Sequence, residues 1–120
     1  MYFKKETGNN GENLACDYLI KKGYTVIEQN FSCKQGEIDI IAKSPSNYIV
    51  FIEVKTRKSL KYGMPSEAVT PYKQKHIMLS AKYYIFKNNI YNIDIRFDVI
   101  EILKLKNKIY IHQIKNAFEQ

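Results

Sequence analysis

The sequence has no tryptophan, and only two cysteines and two histidines among its 120 residues. Cys16 and Cys33, with no secretion signal, do not make a disulfide framework; both are expected to be reduced and half-buried. His76 and His112 lie far apart in the chain and, with two lone cysteines, lack the spacing of a zinc site. No stretch approaches the ~20 apolar residues a membrane span needs. The N-terminus, Met1-Tyr-Phe-Lys-Lys-Glu6, has neither an apolar h-region nor a cleavage-like site. There is no internal repeat and no low-complexity linker. These absences point away from membranes and secretion and lead to the expectation of a cytoplasmic protein.

Acidic residues are also in short supply. Asp and Glu total 12 against 19 Lys and Arg, a formal charge of +7. A small basic domain is drawn to polyanions, nucleic acid above all, although scattered surface lysines give the same number. What is abundant is apolar material: 45% of the residues are hydrophobic, including 10 Tyr and 6 Phe. That suffices for one core in one domain spanning residues 1–120 and not for two.

Hydrophobic periodicity predicts a helix from Gly11 to Lys22. Asn9 or Asn10 caps it, Glu12 sits in its first turn, and Leu14, Ala15, Tyr18 and Leu19 form its apolar stripe before Gly23. Strands follow over Tyr24–Phe31 and Glu37–Lys43, with turns at Ser32–Gly36 and Ser44–Asn47. Tyr48–Ile52 is an unbroken apolar run that continues into Glu53-Val54-Lys55, the mark of a central strand buried on both faces. Residues 57–69 read as irregular. Thr70-Pro71 opens a second helix to Lys87, with Thr as cap and Pro in the first turn. Ile93–Ile102 and Ile109–Ile114 read as a hairpin turning at Lys106-Asn107. Helix, three strands, helix and two strands, with a central strand needing cover on both sides, predict an α/β/α sandwich with a mixed sheet.

Charged residues stand where the strand pattern calls for apolar ones. Alternation puts Glu37, Asp39 and Ile41 on one face, and Phe51, Glu53 and Lys55 on one face of the next strand. The short turn at Ser44–Asn47 makes these strands hairpin neighbours, so Asp39, Glu53 and Lys55 can form one cluster. Ionised groups in such a place need a partner or a metal. Two carboxylates on rigid adjacent strands suit Mg²⁺ or Mn²⁺, leaving positions open for water and a phosphate oxygen. A lysine two residues on could orient the water or stabilise charge growing on phosphorus. A buried ion pair without catalysis is the other reading of the same spacing.

Gly36-Glu-Ile-Asp39 followed by Glu53-Val-Lys55 resembles the PD-(D/E)xK signature in its RecB-like form. The whole chain is similar to the YraN family, a bacterial family resembling restriction endonucleases and Holliday-junction resolvases. The matching stretches run from Gly11-Glu-Asn-Leu-Ala15 through Asn30-Phe31, Gly36–Ile41, Phe51–Arg57, Tyr62-Gly63, Glu67-Ala68, Lys73–Lys75 and Arg96–Val99 to Asn116-Ala-Phe118. The resemblance implies a restriction-endonuclease-like three-layer fold and a divalent-metal-dependent DNA endonuclease, with branched or junction DNA as substrate. Asp39 and Glu53 would be the metal ligands and Lys55 the catalytic lysine. Similar resolvases complete the metal site with a carboxylate on the first helix, which here is Glu12, on the face of Ala15 and Leu19. RecB-like nucleases carry Gln-x-x-x-Tyr in the following helix; here Gln74 is followed at that offset by Met78.

Five further residues are candidates for holding nucleic acid. Arg57, Lys58 and Lys61 follow the active strand and could clamp phosphates beside the scissile bond. Lys73 and Gln74 open the second helix, where the helix dipole adds to the attraction. Solvated surface side chains are the alternative for all five. Arg96 and Asp98 alternate away from Phe97 and Val99 and are expected to pair on the opposite face. Lys104, Lys106 and Lys108 read as an edge guarded against aggregation. A homodimer is conceivable through the apolar positions at Ile109–Ile114. The alternative function is a nucleic-acid-binding module that keeps the fold and does not cut.

Overall fold

A computed structural model describes residues 2–4, 11–58 and 69–119. Lys61, Tyr62-Gly63, Glu67-Ala68 and the cap at Asn9 or Asn10 fall outside these residues. The elements are β1 (Tyr2–Lys4), α1 (Gly11–Lys21), β2 (Thr25–Cys33), β3 (Gly36–Lys43), β4 (Ile49–Arg57), α2 (Pro71–Lys87), β5 (Ile95–Leu105) and β6 (Lys108–Ile114). The strands make one six-stranded sheet in the order β1-β6-β5-β4-β3-β2. β4 and β5 are parallel, and the other four pairings are antiparallel. α2 lies in the connection that the parallel pair requires.

Each face of the sheet carries one helix. Leu14, Ala15, Tyr18 and Leu19 of α1 pack on Ile40, Ala42, Val50, Ile52, Ile100 and Ile102. Ile77, Ala81 and Tyr84 of α2 pack on Ile41, Phe51, Phe97 and Val99 on the other side. β4 supplies both cores, which explains its unbroken apolar run. Rings interlock beneath α2, with Tyr84 edge-on to Phe51 and Phe51 stacked on Phe97. This is the expected α/β/α sandwich with a mixed sheet.

Three features depart from the sequence reading, and a fourth adds to it. β1 pairs with β6, so the Lys104–Lys108 hairpin is not the sheet edge. Ile109 and Ile111, offered above as a dimer contact, are buried in the α1-side core. β2 carries a bulge between Val26 and Glu28; the extra residue is Ile27, which turns outward and breaks the expected alternation. The segment after Lys115 docks on the sheet: the Ala117 N–H donates to the Phe97 carbonyl at 2.7 Å, and Phe118 stacks on Phe97.

Arg96 and Asp98 pair as expected, at 2.9 Å, beneath Tyr24. Asp98 is fully buried. It accepts from Arg96 Nε and Nη2, Gln113 Nε2 and the Asn116 backbone N–H. His76 meets the Gln35 carbonyl through Nδ1 at 2.6 Å and ties α2 to the β2–β3 turn.

Candidate active site

The site forms where β3 leaves β4. Their ladder ends at the pair Ile40↔Ile52. One residue earlier, the Asp39 carboxylate takes over from the backbone: its Oδ2 accepts the Val54 N–H at 2.8 Å. That bond fixes Asp39 against β4, where its carboxylate is close enough to Glu53 to raise the pKa of that residue. Glu53 is 5% exposed in a strand flanked by two others, with Val99 of β5 as its register partner.

Burial is the main cause pushing the Glu53 carboxyl up to about 7, and the adjacent Asp39 adds to it. Two lysines oppose the shift. Lys73 Nζ lies 3.3 Å from Glu53 Oε2 and Lys55 Nζ 3.7 Å from the same oxygen. Lys55 projects from the same face of β4 as Glu53. Lys73 arrives from α2, whose first turn is set by Thr70: its hydroxyl accepts the Lys73 N–H at 3.1 Å, and Pro71 occupies the first helical position. The arrangement is a buried Glu53 beside a half-buried Asp39, with two ammonium groups against Glu53.

Glu12 comes close without joining the pair. Its pKa is raised, first by burial and then by the Asp39 charge, while an Asn30 hydrogen bond to its side chain works against this. Gly11 allows the approach, because a Cβ there would run into the Thr56 hydroxyl at the end of β4. Asn30 stands in β2 with φ 54°, a left-handed conformation that asparagine tolerates better than most side chains. Among the described residues, no three of His, Cys, Asp and Glu form a group able to hold a metal ion. The geometry therefore brings two carboxylates together, with Glu12 outside the pair.

The candidates around the site fare differently. Arg57 Nε is paired with Glu101 Oε2 at 2.9 Å. Gln74 turns back and donates to the Val69 carbonyl at 2.9 Å. Lys58 and Glu37 are exposed. Lys73, Gly36, Glu37, Tyr72 and His76 help line an adjoining pocket of about 280 Å³. Sequence spacing brought Asp39, Glu53 and Lys55 together, and the structure does so too. It missed the contact between Lys73 and Glu53, the pairing of Glu101, and the link from Asn30 to Glu12. Only Asn30 left a trace, as a residue type depleted from strands.

The donor set can be tested against a divalent ion on this geometry. Burial and the neighbouring Asp39 disfavour the Glu53 charge and hold its pKa up at about 7, although Lys73 and Lys55 lie against it. Mg²⁺ is commonly bound through one or two carboxylates plus water and substrate phosphate, so two ligands at an open strand end fit such an ion.

The model of the uncharacterised protein family UPF0102 matches residues 11–102. A UPF0102 protein of Caldicellulosiruptor saccharolyticus is 50% identical over 117 residues, covering 96% of this chain and 98% of the relative. A UPF0102 protein of Clostridium botulinum strain Hall is 51% identical over 121 residues, covering 98% of each. No helix among the described residues is long and apolar enough to cross a membrane.

Proposed function

This chain belongs to the UPF0102 family, the YraN family of the sequence reading, and from Asp39 set beside the buried Glu53 we propose that it is a divalent-metal-dependent endonuclease that hydrolyses DNA phosphodiesters. The observation that carries the reading is Asp39, fixed by the Val54 N–H where the strand pair opens, beside the buried Glu53 with two lysines against it.

Asp39 and Glu53 would hold Mg²⁺ or Mn²⁺, which when bound polarises the phosphate and acidifies water. Asp39 is pre-set for this by the Val54 N–H, which leaves its second oxygen for the ion. Lys55 orients the attacking water and steadies charge on the non-bridging oxygens. Lys73, against the same Glu53 oxygen and half-exposed, receives the phosphate as it enters. Glu12, which feels the Asp39 charge, adds to the negative field at the pair.

The test is cleavage of linear, nicked and four-way DNA in Mn²⁺, Mg²⁺ or EDTA, by the protein and by its Asp39→Asn and Lys55→Ala variants. Cleavage that needs the metal and is lost in both variants supports the reading. DNA binding with no cleavage in any metal reduces the protein to a binding module.

A second prediction needs no substrate. The Glu53 pKa is raised from 4.5 to about 7. Its protonated form therefore stabilises the metal-free fold fully below about pH 4.5, and this contribution is lost as the pH rises through about 7. A divalent ion must displace that proton, so it binds better as the pH rises. Mn²⁺ is expected to raise the melting temperature at pH 8 and to have little effect at pH 5.5. An equal shift at both values would exclude binding through Glu53.

A further inference from the structure

The outer face of α2 has no use in the chemistry above, yet it is unusual. Tyr72 is 74% exposed and Phe86 80%, with Tyr83 and Leu79 about half as much. At 3.6 residues per turn, positions 72, 79, 83 and 86 fall on one narrow stripe, opposite the buried Ile77, Ala81 and Tyr84. From Tyr72 to Phe86 the stripe is about 21 Å long. An exposed line of rings on a monomer surface marks an interaction site.

Charge indicates the partner. α2 contains four lysines and no acidic residue. Lys75 and Lys82 run along one side of the stripe and, with Met78 and Leu79, line a shallow groove of about 330 Å³. Rings interleaved with ammonium groups match a polyanion that also offers flat apolar surfaces. Single-stranded nucleic acid has both, whereas duplex DNA keeps its bases stacked and presents only phosphates to such a surface. The stripe also leads toward the acid pair: Tyr72 adjoins Lys73, the lysine against Glu53, and both line a pocket with Glu37 and His76.

From this we infer that the outer face of α2 is a stacking platform for single-stranded DNA, which it leads toward Asp39 and Glu53. The inference rests on the proposed nuclease reading only in taking the bound strand to be the substrate. The flap or gap of a branched molecule would supply such a strand.

The experiment is fluorescence anisotropy with a labelled 20-nucleotide single strand and its matched duplex. EDTA is present, so binding is read whether or not the protein can cut. Tyr72→Ser with Phe86→Ser is expected to weaken single-strand binding by about tenfold or more and duplex binding by less than about twofold. Lys75→Gln with Lys82→Gln should weaken both. Ile20→Ser, at an exposed apolar position on α1, should change neither. Melting curves check that each variant is folded. Equal losses on strand and duplex would overturn the platform, as would unchanged binding. So would a ring variant that retains the strand while losing self-association in sedimentation or adsorption to anionic vesicles. Cleavage is scored separately, so a protein that binds strands without cutting defeats the nuclease reading and leaves the platform standing.

Discussion

Glu53→Gln is expected to abolish metal-dependent cleavage while making the metal-free protein more stable at pH 8. The loss should reach roughly three orders of magnitude, since the ion's electrostatic contribution is several kcal/mol and each 1.36 kcal/mol is a factor of ten. The gain follows from the same side chain. At pH 8 the native state holds an ionised Glu53 that is buried beside Asp39, and both circumstances disfavour the charge. Glutamine has the same shape, carries no charge and can donate to Asp39. Relief of that strain is worth on the order of 2–3 kcal/mol, or several degrees of melting temperature. Lys55 and Lys73 lose a partner but remain in reach of water, at 31% and 46% exposure, so little is lost there. At pH 5 the wild-type Glu53 is already largely protonated, and the two proteins should melt close together. Thermal denaturation at the two pH values, beside cleavage in Mn²⁺, checks both halves. A variant that melts lower than wild type at pH 8 would show that Glu53 is a contented structural acid. Stability held back at one residue for the sake of chemistry is the usual trade at an active site.

Much of this was readable from the chain because the signals were local. The α2 boundaries follow from Thr70-Pro71 and Asn88, and the apolar run of β4 announces a strand covered on both sides. Asp39 and Glu53 could be paired because a four-residue turn forces β3 and β4 together and alternation fixes their faces. What escaped depends on distant partners. β1 is three residues whose strand character comes from β6. The bulge at Ile27 inserts one residue without any glycine or proline to mark it. Lys73 looked like one helix lysine among four, and only the packing of α2 across the sheet brings its ammonium group to Glu53. Gln74 and Arg57 looked equally available for phosphate, and each has a protein partner. The first helix brings Glu12 near Asp39, but spacing alone could not show that Asn30 holds it.

Asp98→Ala is expected to cost about 3–5 kcal/mol, the usual penalty for removing one member of a buried ion pair. With a typical total of about 5–15 kcal/mol, much of the protein's stability goes with it. Asp98 is fully buried and accepts four hydrogen bonds, from Arg96 twice, Gln113 and the Asn116 N–H. Its removal strands a largely buried guanidinium and loosens the docking of the segment that ends at Phe118. Replacing both charges, Arg96→Met with Asp98→Leu, should restore only part of the loss. The Asn116 N–H and the Gln113 amide would still lack their acceptor, and an unmet buried donor costs about 1–3 kcal/mol. Urea denaturation of the three variants measures this directly, and a loss under about 1 kcal/mol for Asp98→Ala would mean that water replaces the carboxylate. The contrast with Glu53 distinguishes the two buried acids, which occupy neighbouring strands one register step apart: Asp98 lies opposite Ile52 and Glu53 opposite Val99. Asp98 is surrounded by donors that fit its charge, so it holds the fold. Glu53 faces another acid, with cations no nearer than 3.3 Å, so its charge is left for something else to complete.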